Sequence, residues 1–205
     1  MGQGFEVIND KGEVQVTSEA PLLTFDTSYD ISGRTNVPAK MIALAPTMGG
    51  QRVNWSWGFQ KDHSTFVGQG YAFTFDYGLP PESIANYGIE VFDAAGNLTF
   101  SSGQRAMRIM EQVSISDVRT GGNLDRIWST PLAGGGQMLA ILFNKQAIWQ
   151  SGSRAMTVGV YLDDNSNVCL GQAVALDDHY IVDGLIGRYN IDFVVVEVSG
   201  YFRPI

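Results

Sequence analysis

Three residues whose types could support hydrolysis, Asp62, His63 and Ser64, stand side by side in the segment "KDHSTF". In a catalytic triad the acid, base and nucleophile are brought together in space with set roles, and adjacency along the chain does not provide that geometry. A polar loop explains the segment better. No other local pattern selects a nucleophile with its base or a pair of carboxylates, so we predict that the protein is not an enzyme.

The segment "DDNSN" has the spacing of calcium ligands, with Asp163, Asn165 and Asn167 at alternate positions. An EF-hand loop would continue with Gly at 168 and Glu at 174. This chain has valine at both positions. The segment is therefore predicted to be a hairpin turn.

A second acidic segment, "LDDHYIVD", contains four residue types that bind cations: Asp177, Asp178, His179 and Asp183. Surface carboxylates in a connection between strands explain it as well. The glycine run "AGGGQ" lacks the Gly-Lys-Ser/Thr of a phosphate-binding loop, so we interpret it as a flexible loop. We predict no bound metal and no cofactor.

Tryptophans are the strongest candidates for a binding surface. Trp55 and Trp57 in "VNWSWGF" are two residues apart, so a strand would direct both indoles to one face. Such a pair either belongs to a core or holds a sugar or a partner protein. The other apolar residues of the segment share their face, which favours burial inside the chain or against a neighbouring chain. Trp128 is a third candidate for an interface.

Composition narrows the class of protein. The formal net charge is −8 and no basic cluster occurs, which argues against a nucleic-acid partner. Cys169 is the only cysteine, so no intrachain disulfide can form, and we expect it to be a small buried side chain. The apolar runs are too short for membrane insertion. Because no signal-peptide pattern is present, we expect synthesis in a cytoplasm and either retention there or release within a larger particle.

Short runs rich in β-branched and aromatic residues alternate with glycine-rich turn signals, while helix signals are almost absent. This pattern predicts an all-β protein with antiparallel sheets, built as β-sandwich or jelly-roll-like units. Pro80 and Pro81 lie in "YGLPPESIANYG", where a stiff link without ladder donors would separate two units. We therefore predict an N-terminal β module over 1–85 and a C-terminal β-sandwich module over 86–205.

One stretch of the chain occurs twice. "GFEVINDKGEVQVTS" (Gly4 to Ser18) aligns without a gap on "GIEVFDAAGNLTFSS" (Gly88 to Ser102), with five identities in fifteen positions. Each copy has two β-rich runs around "NDKG" or "DAAG", which suits a type I turn followed by a residue with positive φ. Gly12 and Gly96 are therefore predicted as turn residues, and each copy as a hairpin that opens one module.

The repeated stretch resembles the opening motif of small tail proteins of tailed bacteriophages. That motif reads Tyr-Gly-aliphatic-Glu/Arg-Val-aromatic-Asn/Asp-x-x-Gly, followed by a second β-rich run. Tyr87, directly before the second copy, supplies the leading Tyr of the motif, whereas Gln3 stands at that position before the first copy, which also has Lys11 in its turn. The match covers about fifteen residues in each copy, and the family offers no catalytic residues to transfer.

The resemblance implies a structural virion protein of the tail tip, baseplate or fibre base, made in the host cytoplasm. Its partners would be hub, tube or fibre components of the tail, and it would form a trimer or hexamer that follows the tail axis. The alternative is a receptor-binding module whose exposed aromatic residues hold a bacterial surface glycan.

Overall fold

The structure is a computed structural model of the 205-residue chain. It describes residues 6–8, 14–17, 23–38, 41–47, 52–60, 63–77, 89–102, 105–119, 126–133, 137–145, 148–151, 154–174 and 188–201.

Fifteen strands and one short 3₁₀ helix make up the described part of the chain. The strands are β1 (Glu6–Ile8), β2 (Val14–Thr17), β3 (Leu23–Pro38), β4 (Met41–Pro46), β5 (Val53–Gln60), β6 (His63–Tyr77), β7 (Glu90–Phe92), β8 (Leu98–Ser101), β9 (Arg108–Arg119), β10 (Trp128–Thr130), β11 (Leu139–Lys145), β12 (Ile148–Ser151), β13 (Arg154–Leu162), β14 (Val168–Val174) and β15 (Arg188–Glu197). The 3₁₀ helix covers Ser199–Tyr201.

Eleven of the strands form one sheet in the order β10-β14-β13-β5-β6-β4-β11-β15-β9, with β12 added on β13 and β3 on β6. The other four form two separate two-stranded sheets, β1-β2 and β7-β8. Every pairing whose register is described is antiparallel. The prediction of an all-β, antiparallel protein is confirmed.

The large sheet curls around its main core. Trp128 of β10 and Phe193 of β15 lie on the first and eighth strands of the sheet order, yet their ring centroids are 5.0 Å apart in an edge-to-face contact. Both pack with a cluster of buried aliphatic and aromatic side chains that includes Leu44, Phe66 and Ile141. Because a flat sheet would hold strands so far apart in the order at a large distance, the contact requires strong curvature.

The single sheet also bears on the predicted modules. β4 pairs with β11 and β5 pairs with β13, so both halves of the chain contribute to one sheet. The pairing therefore gives no support to separate sandwich or jelly-roll units in sequence order. The predicted boundary between 1–85 and 86–205 lies in a segment outside the described residues.

The chain divides into two compact units whose bounds differ from those modules, because segments distant in sequence cluster together. Unit 1 comprises Met1–Asp26 and Phe75–Met107, and unit 2 comprises Thr27–Thr74 and Arg108–Ile205. The two-stranded sheets β1-β2 and β7-β8 both belong to unit 1, so the repeated hairpins do not open one unit each. Most of the large sheet belongs to unit 2.

The two copies of the repeated stretch fold as the same hairpin. In the first, Glu6 is opposite Thr17, Val7 opposite Val16 and Ile8 opposite Val14. In the second, Glu90 is opposite Ser101, Val91 opposite Phe100 and Phe92 opposite Leu98. Each pair in one copy lies at the aligned positions of the other, and each hairpin has one extra residue, Gln15 or Thr99, at the same step. The repeat in sequence is therefore a repeat in backbone pairing, including the β-bulge.

Candidate interaction surfaces

The turn of the second hairpin, residues 93–97, is built on one aspartate. The Gly96 amide donates to the Asp93 carbonyl (3.0 Å) and the Asp93 amide donates to the Asn97 carbonyl (2.8 Å). Asp93 Oδ1 accepts from the amides of Ala95 and Asn97, and Oδ2 accepts from the Asn97 side-chain amide (2.7 Å). Gly96 has φ 86°, as predicted for a turn residue. The predicted Gly12 lies outside the described residues.

Hydrogen bonds to the carboxylate favour its charged form. The Asn97 side-chain amide is the largest of the effects that hold the pKa of Asp93 below its ordinary value of 3.8, and the turn amides add to it. The charge of Asp93 is thus engaged inside its own turn. A partner that approached this hairpin would meet mainly the side chains on its strands.

The strands of this hairpin expose large apolar side chains. Ile89 is 64% exposed and Phe92 is 51% exposed, and Glu90 between them is exposed as well. Within the described part of the chain neither hairpin joins a larger sheet. A two-stranded ribbon is marginally stable in water. Exposed apolar residues on such a ribbon make it the first candidate interaction surface of the chain.

The turn between β13 and β14 has the same construction. Asp163 Oδ1 accepts from the amides of Asn165 (3.0 Å) and Asn167 (2.8 Å), and Oδ2 accepts from the Asn167 side chain (2.8 Å). Arg126 adds an ion pair to Asp163 at 3.1 Å. The carboxylate that resembled a calcium ligand in sequence is thus occupied by its own hairpin turn, as predicted.

Trp128 does not offer an open platform. Its indole packs edge-to-face on Phe193, and it lies half-buried against the main core cluster. Trp128 therefore takes part in packing, because the curvature of the sheet brings β10 against β15. Its role in an interface stays a prediction. Trp55 and Trp57 lie in β5, where Trp55 is opposite the buried Phe66. Their side chains lie outside the described part of the structure, so their burial stays a prediction.

Within the described part of the chain, the residues considered for catalysis or metal binding are not assembled into a reactive site. The Cys169 side chain is buried, and burial raises the pKa of its thiol, which keeps it protonated. Burial likewise raises the pKa of the neighbouring Tyr161, and the Arg52 guanidinium lies 4.6 Å from the centre of its ring. The side chains of "KDHSTF" from 61 to 64 and the segment 177–183 lie outside the description. Among the described residues, no group of three or more His, Cys, Asp and Glu residues could hold a metal.

An apolar cleft of about 310 Å³ opens beside β4 and β11 in unit 2. It is lined by Met41, Ile42, Leu44, Phe66, Leu142, Phe143 and Asn144. Leu44 and Phe66 belong to the main core cluster, so core residues form part of the wall of the cleft. With Asn144 as the polar lining residue, it offers little to orient a polar substrate.

The outer edge of β9 is the second candidate interaction surface. β9 is twelve residues long and ends the order of the large sheet, with β15 as its described neighbour. Ile109 and Met110 are 58% and 52% exposed. Two register shifts interrupt its pairing with β15, and such bulges limit uncontrolled pairing at a sheet edge. Arg108 holds the start of β9 through an ion pair with the buried Glu197.

Comparison of the chain with protein-family models, with curated proteins and with solved structures finds no match. Within the described residues, no helix is long and apolar enough to cross a bilayer.

Proposed function

We propose that the chain is a structural, non-enzymatic protein of a bacteriophage tail, located in the tail tip, the baseplate or the fibre base. The observation that carries this proposal is the pair of equivalent hairpins β1-β2 and β7-β8, called the twin hairpins below. The stretch that resembles the opening motif of small tail proteins is present twice, and both copies share one pairing register and one bulge. A motif that keeps its bulge in two copies acts as a defined structural element.

Exposed apolar residues support assembly by protein contacts. The second hairpin and the start of β9 each expose two large apolar side chains. Clustered exposed apolar residues mark protein interaction sites. In the proposed function, hub, tube or fibre components of the tail cover these surfaces, and the protein forms a trimer or hexamer around the tail axis.

The proposal is tested on purified particles of the phage that encodes the chain. Quantitative mass spectrometry should find the protein in the particles at a fixed copy number that is a multiple of three. Deletion of its gene should give particles with incomplete tails, and plasmid expression should restore them. Absence of the protein from purified infectious particles would contradict the proposal.

A binding assay separates the proposal from the alternative of a glycan receptor-binding module. The purified protein is incubated with host cells and with cells stripped of surface glycan. A structural component should bind neither, whereas glycan-dependent binding to intact cells would favour the alternative.

A further inference from the structure

The second hairpin exposes two apolar residues along its first strand: Ile89, which directly precedes β7 and whose carbonyl accepts from the Ser102 amide, and Phe92, which ends β7. Ile89 and Phe92 are three residues apart, and side chains along a strand alternate between faces, so they point to opposite faces of the ribbon. A ribbon that docked flat on a partner would need its apolar residues on one face. Exposed apolar residues on both faces fit a ribbon that enters a groove and is contacted from both sides.

The first hairpin repeats these residue types. Its sequence at residues 5–8 is Phe-Glu-Val-Ile, and the second hairpin has Ile-Glu-Val-Phe at 89–92. Each copy thus has one Phe and one Ile around Glu-Val, with the two apolar residues exchanged. The backbone register of the two strands is the same. A groove that accepts one arrangement has nearly the same volume to fill with the other.

Charge identifies the chemistry of the groove. Between Gly88 and Ser102 the chain has two acidic residues and no basic residue, and between Gly4 and Ser18 it has three acidic residues and one basic residue. Docking one copy of the chain on another through these hairpins would bring like charges together, in a protein of net charge −8. The exposed Glu90 instead suits a partner with Lys or Arg at the rim of its groove. Glu6 is its counterpart in the sequence repeat.

From the twin hairpins we infer that each chain bridges two equivalent subunits of one symmetric protein partner, each of which offers an apolar groove with a basic rim. Two hairpins of one kind in one compact unit require two grooves of one kind, and a symmetric oligomer supplies identical grooves on adjacent subunits. The inference rests on the proposed function and names its partner by chemistry. Two linked contacts also bind more tightly than either alone, because the second forms within the complex.

The experiment uses a phage with the gene deleted, supplied with full-length variants from a plasmid. The copies of the chain per purified particle are measured by quantitative mass spectrometry, and the melting temperature of each purified variant is recorded. Ile89→Ser combined with Phe92→Ser should reduce incorporation at least about tenfold, since loss of buried interface anchors costs that much or more. Ile89 and Phe92 are exposed, so the melting temperature should stay near the wild-type value.

Three further variants sharpen the result. Ile8→Ser, which alters the first hairpin at the position equivalent to Phe92, should also reduce incorporation. Glu90→Lys should reduce it through charge repulsion with the basic rim. The exchange variant Ile89→Phe with Phe92→Ile, which writes the first hairpin's strand into the second, should be incorporated like the wild type.

Zero-length carbodiimide cross-linking of wild-type particles identifies the partner, because it joins a carboxylate to a neighbouring lysine amine. Glu6 and Glu90 should each be joined to the same lysine of the same protein. Normal incorporation of the serine variants, failure of the exchange variant, or cross-links from the two glutamates to different proteins or to a second copy of this chain would each overturn the inference. Absence of the wild-type protein from particles would refute the proposed function itself, and is seen separately in the wild-type sample.

Discussion

Residues 93–97 and 163–167 form the same turn in two different settings. In both, an aspartate carboxylate accepts two backbone amides and the side-chain amide of the asparagine four residues later. In both, the fourth residue has positive φ: 86° for Gly96 and 61° for Ser166. One turn ends a two-stranded ribbon, and the other joins two inner strands of the large sheet.

The surroundings of the two turns differ far more than the turns do. Val168, Cys169 and Leu170, which follow the second turn, are buried, whereas Leu98 after the first turn is half-buried and Phe92 before it is exposed. The turn geometry is therefore local, since five residues with Asp first and Asn last provide most of its hydrogen bonds. Whether the adjoining strands become core or surface depends on the sheet that they join.

The largest expected difference concerns the strands that follow the turns. Leu170→Ala removes a fully buried side chain from the main core cluster and should lower the free energy of unfolding by about 2–5 kcal/mol. Leu98→Ala alters a half-buried side chain on the ribbon and should cost about 1 kcal/mol. Urea unfolding of both variants measures the comparison. Equal losses would show that the ribbon is packed as tightly as the large sheet.

A smaller difference is expected at the two residues with positive φ, and its order is reversed: the substitution in the ribbon should cost more stability than the one in the large sheet. Gly96→Ala places a Cβ in a left-handed conformation and should cost about 1 kcal/mol, even though no atom lies within 4 Å of that Cβ. Ser166→Gly relieves the same strain, but it also gives the unfolded chain more freedom, so the free energy of unfolding should stay within about 0.5 kcal/mol of wild type. Thermal unfolding of the two variants checks this. A loss on Ser166→Gly as large as that on Gly96→Ala would mean that the serine side chain contributes a contact of its own.

The smallest expected effect is on the dependence of stability on pH. In both turns the asparagine side chain is the largest cause that lowers the pKa of the aspartate below 3.8. A carboxylate whose pKa is lowered in the folded state stabilises the protein when the pH is above its pKa in the unfolded state. This stabilisation is lost as the pH falls through the lowered pKa of the folded state. The melting temperature should therefore decrease between pH 5 and pH 3.

Substitution of the turn aspartates isolates this effect. Asp93→Asn and Asp163→Asn should each have a lower melting temperature than wild type at pH 7 and a weaker decrease on acidification. The Asp163 variant should change more, because Arg126 also pairs with that carboxylate. Asp164→Asn, in the same turn and exposed, is the matched control for removal of one surface charge. An unchanged acid response in both turn variants would argue against a role for these carboxylates in folding.

The features that were predictable from sequence are those encoded over a few residues. The all-β class follows from alternating apolar residues and glycine-rich turns. The twin hairpins follow from the repeat, and the turn at Gly96 from its Asp-x-x-Gly pattern. The turn at 163–167 was predicted because the calcium-loop pattern fails. Both turns have an asparagine directly after the residue with positive φ. This shared asparagine is the sequence signal that could have predicted their common geometry.

The features that were not predictable depend on which distant strands become neighbours. Trp128 lies near a loop in sequence, and the packing of its ring on Phe193, which is 65 residues later in the chain, could not be read from the sequence. The exposure of Ile89 and Phe92 could not be read from the sequence either, where both are simply apolar residues of a β-rich run. A sequence pattern shows that a strand has an apolar side chain, and the pairing of the other strands decides whether anything covers it.

By itself, the sequence determined the local structures of this protein: strands from the alternation of side chains, turns from Asp, Asn and Gly, and two hairpins of one register from the repeat. Only the tertiary structure decided that β4 pairs with β11 and β5 with β13, and that both hairpins belong to one compact unit. The reason is physical. Backbone amides and carbonyls pair between strands in much the same way whatever their side chains, so the choice of neighbour depends on the apolar surface that the whole arrangement buries.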